Sequence, residues 1–279
     1  MRLDVMKTYK LFIGGAFPRS ESGRSYEIKD KRGKFIANPA WASRKDLRDA
    51  VVAARSAFSN WSHATAYNRG QILYRIAEMM EGRREQFVAE IVALEGVTEK
   101  SARNQVAEAI DLWVWYAGWT DKIHAIAGGT NPIAAPYYNF TVPEPIGVVG
   151  IIADEKDSLL GLVRALAPVI ASGNSAVLIA SESRPLPAMS FAEVLATSDI
   201  PAGVVNILTG KKAELLPWLA SHMEIDALDI SGANPKSDGE LRKLGTENLK
   251  RIHRFGKQDS PKRVLSFMEL KTVWHPIGI

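Results

Sequence analysis

Residues 147–180, GVVGIIADEKDSLLGLVRALAPVIASGNSAVLIA, decide the fold. Two continuously apolar, β-branched runs, 147–152 and 175–180, flank SLLGLVRALAPVIASG (158–173), which is long enough for a helix and ends at the turn Gly173-Asn174. Short strands joined through a helix form a parallel pair, because the return from the end of one strand to the start of the next needs a crossover. The pattern then repeats as helix LPAMSFAEVLATSD (186–199), strand GVVNIL (203–208), helix AELLPWLASH (213–222) and strand IDALDI (225–230). This is an α/β fold built on a doubly wound, Rossmann-like parallel sheet, and such sheets take ligands beyond the carboxyl ends of their strands.

Immediately upstream, GGTNPIAAPYYNFTVPEPIGVVGII (128–152) holds four prolines and alternating apolar residues, and reads as a protruding hairpin over 128–146 that leads into the first parallel strand. Before it lies an N-terminal helical layer. Ser43 is placed to cap a helix carrying Leu47, Val51, Ala54 and Phe58 at helical spacing, with Phe58 and Trp61 as its anchors. A second amphipathic helix is expected from Tyr67 to Arg83, breaking near Gly82 and resuming through EQFVAEIVALEG (85–96). A long third one is expected from Glu99 to about Ala125. Trp113, Trp115, Tyr116 and Trp119 in that segment serve either core packing, which helical spacing favours, or nucleotide stacking. The opening residues 9–40 read as a β-hairpin, with YKLFIGGAF broken at Gly14-Gly15 and SYEIKD beyond the turn SESGR.

A chain of 279 residues that is 46% hydrophobic can bury a sizeable core. Its 35 Lys and Arg against 31 Asp and Glu leave a formal charge of only +4, spread in short groups such as Arg83-Arg84 and Lys211-Lys212, so nucleic acid is not an expected partner. There is no cysteine, hence no disulfide, thiolate ligand or thiol nucleophile. His63, His124, His222, His253 and His275 are far apart in the chain and lack metal-ligand spacing, so no metal site is expected. MRLDVMKTYK is not followed by a signal-length apolar run, and no stretch is long enough for a membrane span; the expectation is a cytoplasmic protein with no membrane partner. The loop after the first parallel strand, ADEKDS (153–158), contains nothing like G-x-G-x-x-G.

Five segments, LFIGGAF, AVVAARSAFSNWS, VPEPIGVVGII, APVIASGNSAVLIASE with SDIPAGVVNILTG, and ENLKR, together and in this order resemble the aldehyde dehydrogenase superfamily. The resemblance implies that residues 1–257 are the family's NAD-binding domain and that the hairpin joins a subunit interface. It implies that Glu182 keeps half of a grip on the adenosine ribose, Ile179 standing where the family has lysine, and that Ser231 and Gly232 lie close to cofactor phosphates and nicotinamide. The cofactor would be NAD or NADP, bound weakly or not at all. The departures imply lost chemistry: ADEKDS replaces the segment bearing the oxyanion-holding asparagine, and Phe255 falls where the family's general-base glutamate belongs. No residue is therefore assigned a catalytic role.

Beyond residue 257 the family continues into a domain bearing the nucleophilic cysteine, whereas here the short ending SFMELKTVWHPIGI resembles the family's last strand. Residues 258–279 are read as an oligomerisation strand, and the catalytic domain as excised. Three functions follow as alternatives. The chain is a non-catalytic subunit forming a homo-oligomer or a hetero-oligomer with a full-length aldehyde dehydrogenase. Otherwise it is an NAD(P)-dependent oxidoreductase of altered mechanism, with Asp154, Glu155 and Asp157 as candidate acids, or a nucleotide-binding regulatory subunit. Lys271–His275 should be paired, either across a subunit boundary or by folding back within the same chain.

Overall fold

The computed structural model describes residues 7–278. Met1–Met6, part of the segment read above as lacking a secretory signal, and Ile279, the end of the terminal segment, lie outside the described residues. The chain begins with short strands β1 (Thr8–Tyr9), β2 (Ile28–Lys29) and β3 (Phe35–Pro39). Helices α1 (Arg44–His63), α2 (Ala66–Glu81), α3 (Arg84–Glu95), α4 (Glu99–Ala117) and α5 (Ile123–Ala127) follow. Strands β4 (Gly129–Thr130) and β5 (Tyr137–Pro145) lead into the alternating part: β6 (Val148–Ile152), α6 (Leu160–Ala171), β7 (Ser175–Ile179), α7 (Leu186–Leu195), β8 (Val205–Leu208), α8 (Lys212–Ser221) and β9 (Ala227–Asp229). The chain closes with α9 (Asp238–Leu244), β10 (Arg251–His253), α10 (Pro261–Leu265) and β11 (Met268–Pro276).

The main sheet is parallel, in the order β10-β9-β6-β7-β8. Its strands alternate their side chains between two apolar layers, the mark of a sheet covered on both faces. Val148, Ile152, Val177 and Ile179 pack under α1 and α8, while Val149, Ile151, Ala176 and Leu178 pack under α6 and α7. The expected helical layer therefore divides. α1 lies on the α8 face through Leu47, Ala50, Val51 and Ala54, whereas α2, α3 and α4 stack outside α6 and α7. Trp61, at the end of α1, is buried and donates from its indole nitrogen to the Ile170 carbonyl at 3.2 Å, tying the two faces together; Phe58 is only half-buried.

Local chemistry sets the element ends. The Ser43 hydroxyl accepts from the Lys45 and Asp46 amides, and the Asp46 carboxylate accepts from the Ser43 amide, a complete capping box. The third amphipathic helix ends earlier than its apolar spacing predicts. α4 closes at Gly118, and α5 is a separate turn of helix after it, because Thr120 folds back to donate to the Ala117 carbonyl. Trp113 and Tyr116 are fully buried and Trp113 stacks on Phe191, so the aromatic cluster is chiefly core; Trp115 stays partly exposed. The opening hairpin also differs: β2 pairs antiparallel with β3, which the sequence pattern missed, and Phe12 bridges to Ile207 at the edge of the main sheet.

The hairpin over 128–146 supplies the middle strand, β5, and one edge, β4, of a three-stranded arm. β5 pairs with β4 over two residues and with β11 in unbroken antiparallel register from Met268–Pro145 to Pro276–Tyr137. Lys271–His275 are thus paired by folding back within the same chain. Asn174 is the joint between arm and sheet: its carbonyl oxygen accepts from the Gly147 amide at 2.8 Å, and its amide nitrogen donates to the Phe267 carbonyl at 2.8 Å. This fully buried residue is a strut as well as turn punctuation. Asn174→Ala leaves the buried Gly147 amide unpaired and takes one of two donors from the Phe267 carbonyl, which still accepts from the Ile146 amide, and should cost about 1–3 kcal/mol. Urea unfolding measures this, and a loss under about 1 kcal/mol would show that the joint does not depend on the side chain.

Candidate functional site

β7 and β8 extend the sheet to one side of β6, and β9 returns to the other side, so the order of strands reverses between β6 and β9. Loops diverge at such a point and leave a crevice, the place where open α/β sheets take their ligands. Here it is bounded by Ala153–Ser158 after β6 and Ile230–Ala233 after β9. Gly232 is the wedge that closes its floor. Its amide donates to the Ile152 carbonyl at 3.2 Å, and a Cβ at this position would lie 2.3 Å from that same oxygen.

Lys212, the first residue of α8, reaches into the crevice. Its ammonium lies 2.5 Å from the Glu155 carboxylate and donates to the Ala153 carbonyl at 2.6 Å and the Gly232 carbonyl at 3.4 Å. The ammonium therefore bridges both sides of the reversal. Glu155 in turn accepts from Ser181 Oγ at 2.8 Å, the Glu182 amide at 2.9 Å, the Ser183 amide at 3.2 Å and Ser183 Oγ at 2.9 Å. Burial alone would raise its carboxyl pKa, but the Lys212 ammonium and these donors outweigh it and hold the group down at about 2.

The residues expected at the site are brought to this crevice, with their polar groups turned inward. Glu182 accepts from Lys211 Nζ at 2.8 Å and from the Lys212 amide at 3.0 Å, so both carboxylate oxygens brace the start of α8. Ser231 Oγ accepts from the Phe255 amide at 2.8 Å, and the Ser231 carbonyl accepts from Arg254. Phe255 stacks on His253 and packs edge-on against Phe267, with the Arg263 guanidinium over its ring. Ile179 is wholly buried at the end of β7.

The three loop acids are sorted by geometry. Asp154 accepts from the Lys156 amide in its own turn and Asp157 pairs with Lys257 at 2.8 Å, both of them lining a cavity shared with Ser231 and Gly232, while Glu155 alone of the three meets Lys212. Nearby, Asp229 is completely buried, with one oxygen accepting from the Ser231 amide and the other without a partner; burial pushes its carboxyl pKa upward. Sequence reasoning missed Lys212, Ser181 and Ser183. The available signal was the position of Lys212 at a helix start just beyond a parallel strand, which faces the crevice by topology.

Two openings flank the Lys212–Glu155 pair. A cavity of about 210 Å³ is lined by Ile152, Gly161, Arg164, Ser231, Gly232 and Phe255, and a groove of about 460 Å³ by Tyr26, Lys29, Glu155, Glu182, Ser183 and Lys211. A larger cavity, about 630 Å³, lies away from the strand ends between α1 and α8, beside Arg44 and Trp218, and includes none of the expected site residues.

Parallel sheet, reversal point and crevice define a nucleotide-type α/β domain. A sequence model described as "Aldehyde dehydrogenase family" matches residues 17–259, and the chain belongs to that family. It is 34% identical over 260 residues to mouse (Mus musculus) cytosolic 10-formyltetrahydrofolate dehydrogenase, covering 90% of this chain and 28% of that protein. It is 33% identical over 251 residues to the mitochondrial benzaldehyde dehydrogenase of Antirrhinum majus, covering 87% of this chain and 46% of that one. Among solved structures it is similar to the NAD+ complex of a Bacillus cereus aldehyde dehydrogenase, with TM-score 0.83, 28% identity, and coverage of 88% of this chain and 50% of that one. A putative aldehyde dehydrogenase from Burkholderia cenocepacia gives 0.85 and 29%, with 90% and 50% coverage. The chain spans half or less of the length of these relatives.

Because the Glu155 pKa lies below that of an unfolded carboxyl, the stability contributed by its contacts is complete above about pH 5 and lost as pH falls through about 4 toward 2. The Glu155 side chain is 37% exposed. Solvent screening accordingly limits the contribution to about 1–2 kcal/mol. In urea unfolding, the difference between the wild type and Glu155→Gln should be largest at neutral pH and shrink on acidification. A difference independent of pH would remove the ion pair from the account.

Proposed function

We propose that this chain is a non-catalytic member of its family, a subunit whose work is assembly, joining a second copy of itself or a full-length aldehyde dehydrogenase. One contrast within the molecule carries the reading: the crevice is bridged by the chain's own Lys212 and Glu155, whereas the arm presents an outward surface. Carbonyl oxidation in this family's manner needs a nucleophile, a base and an oxyanion donor. This sequence has no cysteine, packs Phe255 into an aromatic stack at the base position, and carries ADEKDS where the donor would be.

The arm supports the other half of the reading. Leu270, Trp274, Tyr137 and Tyr138 are exposed on it, and among the described residues no strand pairs with the outer edge of β11. A nine-residue strand edge with unpaired amides and carbonyls is a template for a neighbouring chain. The cytoplasm is the proposed compartment. A regulatory subunit that binds NAD or NADP weakly is the second reading, favoured by the likeness to a structure determined with NAD+ and by the retention of Glu182 and Gly232.

Purified alone, the chain should show no aldehyde-dependent reduction of NAD or NADP above background, and native mass measurement should find it dimeric or joined to a larger dehydrogenase. Leu270→Asp with Trp274→Asp should abolish that association while shifting urea unfolding by under about 1 kcal/mol, since both side chains are exposed. Turnover by the isolated chain, or a strictly monomeric wild type, would overturn the proposal.

A further inference from the structure

Glu155 sits in the crevice as a bound anion would. Its donors come from two separate segments, Ser181–Ser183 after β7 and Lys212 at the head of α8, and they converge on one carboxylate carried by a third. Two adjacent backbone amides, two hydroxyls and an ammonium form a set suited to any compact group that only accepts hydrogen bonds. The loop bearing Glu155 is short, and its other tie to this side of the crevice is the Lys156 carbonyl, which accepts from Arg184 at 2.7 Å.

The partners of Lys212 sharpen the point. Its side chain is 13% exposed, and Glu155 is its one carboxylate partner among the described residues, the remaining contacts being neutral carbonyls. A buried ammonium without a counter-charge is costly, so whatever replaces Glu155 there must be anionic. The groove above is open to solvent, and its Lys29 and Lys211 are each paired with a carboxylate, Glu27 and Glu182, so the Glu155 donors are the part of it that an incoming anion would compete for.

We propose that the crevice is a latent oxyanion site of the phosphate class, and that the Glu155 carboxylate is its built-in occupant, competing with any phosphate-bearing ligand for the same donors. The proposal rests on the reading above that the resting chain holds dinucleotide weakly or not at all. Glu182 is a positioning residue in this scheme: its amide is one of the donors, and its carboxylate fixes Lys211 and the Lys212 amide. Because the Glu155 carboxyl is held far below neutral, mild acid does not open the site; competition or substitution does.

The test is calorimetric titration of the full chain with inorganic pyrophosphate and, separately, with NAD. Wild type, Glu155→Ala, the near-isosteric Glu155→Gln and the double variant Glu155→Ala with Lys212→Met are compared, with circular dichroism to establish folding. Pyrophosphate should bind Glu155→Ala about tenfold or more tighter than wild type, Glu155→Gln should fall between them, and the double variant should lose the gain. If Glu155→Ala does not fold, Glu155→Gln carries the comparison alone. A folded variant that binds no tighter than wild type overturns the proposal, as does a double variant that retains the gain. Tight NAD binding by the wild type would instead overturn the reading of the resting crevice, whatever pyrophosphate does.

Discussion

The ammonium of Lys212 meets a constraint that any open parallel sheet must satisfy at its point of reversal. β6 and β9 lie side by side, yet the loops that leave them diverge, exposing carbonyls at the strand ends to whatever occupies the gap. A dinucleotide-binding sheet leaves that gap for its ligand. Here a charged side chain from the next helix bridges it, donating to carbonyls on both sides and meeting a carboxylate from the first loop. Gly232 allows the backbones to approach closely enough for one ammonium to span them. Around that contact Glu182 braces α8, and Ser231 fixes the segment that places Phe255.

The opposite end of the molecule is organised differently. The arm is a three-stranded ribbon joined to the sheet through the buried amide of Asn174, and its nine-residue closing strand is β11. Folding that strand back satisfies one of its edges and leaves the other available. A crevice bridged by the chain's own ion pair and an arm with one open strand edge are the observations on which the proposed role in association rests.

Reading the fold from the sequence succeeded where one rule governed each segment. GVVGII, SAVLIA and GVVNIL are too short and too uniformly apolar for anything but buried parallel strands, and the helices between them are the crossovers such strands require. It failed where a choice depended on tertiary partners. Nothing in KDLRDAVVAARSAFSNW states that its helix crosses to the face opposite α2, and FIANP became a strand only through its pairing with β1 and β2. At the site, Glu182, Ser231 and Gly232 were legible as positions, through resemblance. Their engagement was not, because Glu155 and Lys212 are distant in sequence and meet only after two crossovers bring their strand ends together. A loop of acids reads as solvated until a lysine is placed against it.

The most direct measurement is a crystal structure of the wild-type chain grown with NAD in large excess. The account predicts Lys212 bridging the Ala153 and Gly232 carbonyls and paired with Glu155, with no nucleotide across the ends of β6 and β9. Dinucleotide density over Gly232, with Lys212 and Glu155 swung apart to admit it, would contradict the account at its centre.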